Sequence, residues 1–176
     1  MDRDLTLVEP RRRYRPLFLA MVEDYARAGE SRYAHVSPAR RRDFDIYVRR
    51  LRNMARGLGL RPGWVTQSTF WTIEAGAPLI VGTLQLRHRL TPQLELEGGH
   101  IGYNIAPSLR NKGYGTQQLA LGLEKARDLG LERVLITCDT GNVPSARVIQ
   151  KNGGVFDSEV VSDLTGKRVS RYWIAL

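Results

Sequence analysis

The stretch His100-Ile-Gly-Tyr-Asn-Ile-Ala-Pro-Ser-Leu-Arg110-Asn-Lys-Gly113-Tyr-Gly115-Thr116 decides how the chain is read. Ile101, Tyr103 and Ile105 alternate with His100, Gly102 and Asn104, which predicts a strand that stops at Pro107. From Thr116 to Leu129, Leu119, Leu123 and Ala126 recur at helical spacing. Strand, glycine-bearing loop and helix therefore follow one another. The first turn of such a helix has N–H groups without intrahelical partners and the positive end of the helix dipole. Gly113 and Gly115 let main chain approach an anion closely, and Arg110 and Lys112 add positive charge, so the segment is a competent phosphate cradle. Two commoner nucleotide motifs fail on it. Neither glycine is followed by Lys-Ser or Lys-Thr, as a Walker loop requires, and Gln118 stands where a dinucleotide fingerprint needs its third glycine. A tight turn with no ligand is the plainer alternative.

Working outward, the pattern gives the order β-α-α-β-β-β-α-β-α-β-β. Leu5-Thr6-Leu7-Val8 reads as a short strand stopped at Pro10. Pro16 opens a helix that Gly29 ends. A second helix starts after Ser37 and Pro38, with Phe44, Tyr47, Val48, Leu51, Met54, Ala55 and Leu58 on one face and arginines mostly off it. Trp64–Glu74 and Leu79–Leu90 read as strands around an Ala-Gly-Ala-Pro turn, and 91–99 as a loop. Val134-Leu135-Ile136-Thr137-Cys138 is an apolar run typical of a strand buried on both faces. Asn142–Asn152 is a short helix ended by two glycines, and two strands, Val155–Val161 and Val169–Ala175, close the chain. The order predicts an α/β fold, more narrowly an α+β mixed sheet with helices on its faces.

The sequence has 176 residues, enough for one domain spanning 1–176 and too few for two well-buried cores. Hydrophobic residues make up 42% and charged ones 26%, which argues against disorder. The longest apolar run, Leu17–Val22, is far short of the roughly 20 residues a membrane span needs. Arg11-Arg12-Arg13 before it has no cleavage site to follow, so a soluble, cytoplasmic protein is expected. Cys138 is the single cysteine, and His35, His88 and His100 are scattered, so neither a disulfide nor a metal site is expected. The net charge of +9 is uneven: residues 1–62 hold 15 Lys/Arg against 8 Asp/Glu, a net +7. Nucleic-acid binding is one reading of that excess, and a solvated arginine-rich face is the plainer one. Nothing aromatic interleaves with the arginines as single-strand binding prefers, so nucleic acid ranks last among the partners.

Arg110-x-x-Gly113-x-Gly115, opening a helix after a Tyr/Ile strand, resembles motif A of the GNAT superfamily of acyl-CoA-dependent N-acetyltransferases. The run Asp139-Thr-Gly-Asn142-Val-Pro-Ser145-Ala-Arg-Val-Ile149-Gln-Lys151-Asn-Gly153-Gly154 resembles that family's motif B, one helix and one strand downstream. More closely, Gly98-Gly-His100-Ile-Gly-Tyr with Cys-Asp…Asn…Asn-Gly-Gly looks like a bacterial branch of largely uncharacterised predicted acetyltransferases. The resemblance implies about seven mostly antiparallel strands with four helices, splayed between the fourth and fifth strands. It implies acetyl-CoA lying in that splay. Main chain of Ile101, Tyr103, Asn104 and Ile105 would pair with pantetheine, and amides of Arg110, Asn111, Lys112, Gly113, Tyr114, Gly115 and Thr116 would hold the pyrophosphate. Asn142 and Ser145 would reach the pantetheine arm or the adenine end.

The implied activity is transfer of an acetyl group to a primary amine by direct attack in a ternary complex. A lysine-like amine has a pKa of about 10.4, so roughly one molecule in a thousand is neutral near pH 7, a deficit of about 4–5 kcal/mol. An α-amine, with a pKa of about 8, needs far less help. His100 and Glu97 fall where many members of the family place a base or a water relay. The alternatives are a strand-end histidine bonded to main chain and a solvated loop carboxylate. A strand amide near Asn104 or Ile105 would meet the developing oxyanion. The tyrosine that often protonates the leaving thiolate is matched here by Ile149, which leaves Ser145 or a water for that step. A non-catalytic acyl-CoA-binding or sensing module is therefore the second reading. His88 is expected to be a partly buried structural residue, and Cys138 a small core residue. Tyr33 and His35 fall between the two N-terminal helices that commonly wall the acceptor site in this family. The charge of residues 1–62 would sit there too and suit an acidic acceptor, and a homodimer is left open.

Overall fold

The computed structural model describes residues 3–36, 40–163 and 165–176, so the expected cap at Ser37 and Pro38 lies outside the described residues. Among the described residues, hydrophobic alternation produces seven strands. β1 (Leu5–Val8), β2 (Gln67–Glu74), β3 (Gly82–Arg87) and β4 (Ile101–Ile105) form one antiparallel sheet in the order β1-β2-β3-β4. β5 (Arg133–Asp139), β6 (Val155–Val161) and β7 (Arg168–Ala175) form a second, in the order β5-β7-β6. The seven mostly antiparallel strands expected are thus present, divided between the fourth and fifth into two antiparallel sheets. β3 is also shorter than expected, because Ile80 leaves the ladder and donates its N–H to the Leu17 carbonyl at 3.3 Å.

Among the described residues five α-helices cover the sheets: α1 (Arg15–Arg27), α2 (Arg41–Ala55), α3 (Pro92–Leu96), α4 (Tyr114–Asp128) and α5 (Val143–Lys151). The one not expected, α3, is a single turn inside the expected 91–99 loop. Thr91 caps it, its hydroxyl accepting from the Leu94 N–H at 3.3 Å, and Pro92 fills its first position. The apolar stripes of α1 and α2 close one core on the first sheet, where Phe18 packs its ring 4.9 Å from Trp71 and 5.5 Å from Phe44. A second core joins α4 and α5 to both sheets through Leu84, Ile101, Leu119, Leu123, Val134, Ile136 and Ile149. No helix among the described residues is long and apolar enough to cross a membrane.

The helix α4 carries the chain from the end of β4 back to the start of β5, so these two strands run parallel as neighbours. Among the described residues no ladder joins them. Their link is one residue wide. The His100 N–H donates to the Leu135 carbonyl at 2.7 Å, and the Leu135 N–H donates back to His100 Nδ1 at 2.9 Å. Two residues before His100, the Gly98 N–H donates to Thr137 Oγ1 at 3.0 Å. From that apex the strands diverge, as the splay between fourth and fifth strands requires.

Gly99 makes the apex possible. Its φ is +60°, and a Cβ there would overlap the Leu135 carbonyl oxygen. Gly99→Ala is therefore expected to lower unfolding free energy by about 2–4 kcal/mol, read as a drop in the urea midpoint at constant slope.

Candidate functional site

The gap between the diverging strands holds a cavity of about 750 Å³. Of the residues singled out for the cofactor, Tyr103, Asn104, Ile105, Arg110, Asn111, Gly113, Gly115, Thr116, Asn142 and Ser145 line it. Three expected residues do not. Ile101 is buried in the second core; the Lys112 ammonium donates to the Ser108 carbonyl at 2.8 Å; the Tyr114 phenol donates to Glu74 Oε2 at 2.7 Å beneath the Arg3 guanidinium. The sequence reading missed Arg32 and the stripe Pro144, Arg147, Val148 and Lys151 on one face of α5. The spacing of that stripe, read onward from Asn142, carried the signal.

Main-chain direction follows from the ladder. The Ala106 N–H donates to the Val81 carbonyl at 2.8 Å, which fixes the alternation along β4. Residues 102 and 104 then turn their polar groups toward β3, while Ile101, Tyr103 and Ile105 turn theirs toward the gap. The Ile105 carbonyl agrees, accepting from the Tyr25 hydroxyl at 3.1 Å and from Arg110 Nε at 3.2 Å. At the far end, Gly113 caps α4 with φ +87° and Asn111 adopts φ +60°, so the chain curls tightly over the first turn of that helix. A Cβ on Gly115 would stand 3.3 Å from Val148 and narrow the cavity.

Electrostatics differ from the expectation at Arg110. Its guanidinium forms a two-pronged pair with Glu30, at 2.6 and 2.8 Å. The pair lowers the Glu30 pKa and raises that of Arg110, so much of this cation is already balanced. Arg32, Arg147 and Lys151 remain as the other cations of the cavity. Asn142 spends its side-chain oxygen on the Ser145 N–H at 3.2 Å, capping α5. The Ser145 hydroxyl lies 2.9 Å from that of Tyr103, and burial pushes the Tyr103 phenol up to about 12. The Cys138 thiol, half-buried beside the second core, is raised by burial as well.

On the other side of β4 lies a second cavity of about 510 Å³, bounded by the segment that follows α1 and by α2, α3, β2 and β3. The two cavities share Arg32 and Asn104. Asn104 is held rigidly there. Its amide donates to Thr83 Oγ1 at 2.7 Å, and its oxygen accepts from the Tyr25 hydroxyl at 2.8 Å and the Tyr33 hydroxyl at 3.4 Å. Tyr33 and His35 line this second cavity, whereas His88 pairs with the Ser68 hydroxyl at 2.8 Å. No cluster of metal-ligating side chains occurs among the described residues.

Neither residue singled out as a base lines either cavity. Glu97 follows α3, with one carboxylate oxygen buried and without a hydrogen-bond partner. His100 is buried at the apex, where its Nδ1 accepts from Leu135. A neutral imidazole with Nδ1 accepting carries its proton on Nε2, so its one basic lone pair is occupied. Burial, then the charges of Arg87 and Arg133, lower its pKa below 6.5. The geometry corrects the expectation: His100 is placed as a clip between strands.

Residues 4–155 match the family model described as an acetyltransferase (GNAT) domain. An uncharacterized N-acetyltransferase of Bacillus subtilis, YnaD, is 37% identical over 54 residues, 30% of this chain and 32% of that relative. That match spans about a third of the relative's length. Solved structures superpose over nearly the whole chain. A microcin self-immunity acetyltransferase in complex with acetyl-CoA and AMP is 13% identical at a TM-score of 0.71, covering 99% of this chain and 94% of that one. An acetyltransferase of the GNAT family from Bacillus anthracis is 20% identical at 0.64, covering 99% and 95%. An acetyl transferase from Salmonella typhimurium that modifies the N-terminal serine of a 50S ribosomal subunit protein is 16% identical at 0.68, covering 98% and 95%.

The clip has a measurable signature. His100→Ala leaves the buried Leu135 N–H unpaired and should cost about 1–3 kcal/mol, whereas His100→Asn, with an amide oxygen in reach, should recover part of it. Because the folded pKa lies below the unfolded 6.5, this stability is complete above pH 6.5 and declines as pH falls toward the folded value. Urea titrations at several pH values should show that slope in the wild type and a shallower one in His100→Ala, where only the share of His88, also lowered by burial, is left. A base would instead lose turnover with stability intact.

Proposed function

The chain belongs to the GNAT acetyltransferase family, and from that premise we propose that it moves an acetyl group from acetyl-CoA to a primary amine by direct attack, with both substrates bound together. One observation carries this reading: two cavities, on opposite sides of β4, meet at Asn104 and Arg32. Reactants placed in them face each other across one strand, and no protein group has to ferry the acetyl between them. Cys138, the one thiol, is half-buried with a raised pKa and poorly suited to a relay.

The residues present fit the cosubstrate. The gap-facing main chain of Tyr103 and Ile105 suits an extended amide-bearing arm, and the glycine-curled start of α4 with Arg147 and Lys151 suits phosphates. Acetyl-CoA would supply an activated thioester. The Ile105 N–H, turned into the gap, is the strand amide available to the thioester oxygen. Asn104, locked by Tyr25, Tyr33 and Thr83, fixes the floor on which the amine is positioned. The sulfur needs a hydrogen-bond donor, and Ile149 is buried and apolar. Tyr103 provides a phenol from β4, paired with Ser145 and held protonated by its pKa of about 12. This supplies from a strand what the helix position lacks, and it favours turnover over the sensing reading.

Two variants test these roles. Gly115→Glu places a carboxylate in the cradle and should weaken CoA binding by calorimetry at least 100-fold. Tyr103→Phe should lower kcat about 10- to 100-fold, with CoA affinity within about threefold of wild type. CoA binding without thioester consumption across a panel of amines would favour the sensor.

A further inference from the structure

We propose that the acceptor is the amino terminus of an acidic peptide, an inference that rests on the transferase reading and names its substrate class. Arg32, Arg50 and Arg87 line the acceptor-side cavity, and no carboxylate does among the described residues. At Arg50, Met54 and Trp64 that cavity runs into a surface groove of about 430 Å³, which adds Arg49 and Arg61 and again no carboxylate.

Some arginines elsewhere are paired. Arg3, Arg12, Arg110, Arg168 and Arg171 each have a described carboxylate within ion-pair distance. None of the five along the cavity and groove does. Arg87 is moreover fixed in place, its Nη1 donating to the Gly98 and Gly99 carbonyls at 2.8 and 2.9 Å, and it is buried enough to lower its pKa. A half-buried guanidinium without a counter-ion is a strong site for an anion.

The same lining acts on the amine. Guanidinium charges disfavour an ammonium and favour the neutral, nucleophilic form. An α-amine with a pKa of about 8 is within reach of that effect, while a lysine side chain at about 10.4 is not. The lack of a carboxylate base in the cavity is then consistent with the substrate. Length argues for a peptide over a free amino acid. The cationic track continues from Arg32, at the junction with the cofactor-side cavity, past Arg50 to Arg61. Leu58 and Trp64 stand exposed along it, at 49% and 43%, as surface for a chain to lie on.

The test is the rate of CoA release from acetyl-CoA with hexapeptide amides that share a free amino terminus and carry acidic, neutral or lysine side chains, with free glutamate alongside. The acidic peptide should show kcat/KM at least about tenfold above the neutral one at low salt, shrinking below about threefold near 0.5 M salt. Arg50 is an exposed residue on α2, so Arg50→Glu should fold normally, keep wild-type CoA affinity and reverse the preference toward the lysine peptide. Equal rates for all peptides, acetylation of glutamate alone, or an unchanged preference in Arg50→Glu would overturn the proposal while leaving the transferase reading intact. Absence of turnover with every amine, despite CoA binding, would overturn both.

Discussion

Two parallel strands that could hydrogen-bond along their whole length are here joined at one residue, through the exchange between His100 and Leu135. That exchange determines the shape of the molecule. Were β4 and β5 zipped together, the main-chain groups of Tyr103 and Ile105 would be satisfied by β5 and there would be no gap. Were they not joined at all, the two sheets would have only helix packing to fix their angle. A side-chain nitrogen imitating a carbonyl ends the pairing after one step, and Gly99 permits the close approach that a Cβ would prevent. The imitation works only with a neutral ring, and burial beside Arg87 and Arg133 keeps it so.

Much of this was legible in the sequence. The alternation of Ile101, Tyr103 and Ile105, and the recurrence of Leu119, Leu123 and Ala126, follow from periodicity alone, and the helix and strand they predict are present. The cradle was legible too, because glycines at a strand-to-helix turn have few other uses. His100 was not. Its residue type suits a base and its place in the motif suggests one; only three-dimensional contact shows that Leu135, 35 residues away, occupies the nitrogen such a role requires. Arg32 and Arg50 were hidden for a different reason. In a region of fifteen basic residues nothing local separates an arginine that faces a cavity from one that faces water.

That separation changes the meaning of the charge. The +7 of residues 1–62 looks like a uniform basic coat, yet part of it is neutralised in pairs and part lines the acceptor side unpaired. The cofactor side carries a cation, Arg110, that Glu30 already balances. Where anionic phosphates would be numerous, some positive charge is set off in advance; where the acceptor would bring only one or two carboxylates, none is.

This asymmetry bears on how an acetyltransferase can work without an evident base. Deprotonating an amine inside a protein needs either a group that accepts the proton or a field that disfavours holding it. Glu97 and His100 lie outside both cavities, and the phenols of Tyr25 and Tyr33 have raised pKa values and are tied to Asn104. A field of fixed guanidiniums remains, and it needs no residue aligned with the nitrogen lone pair. Its cost falls on the substrate: only an acceptor with negative charge of its own enters such a cavity readily. In the proposed reading, selectivity for acidic amines and activation of the amine have one physical source: a cavity that several arginines enclose and no carboxylate lines among the described residues.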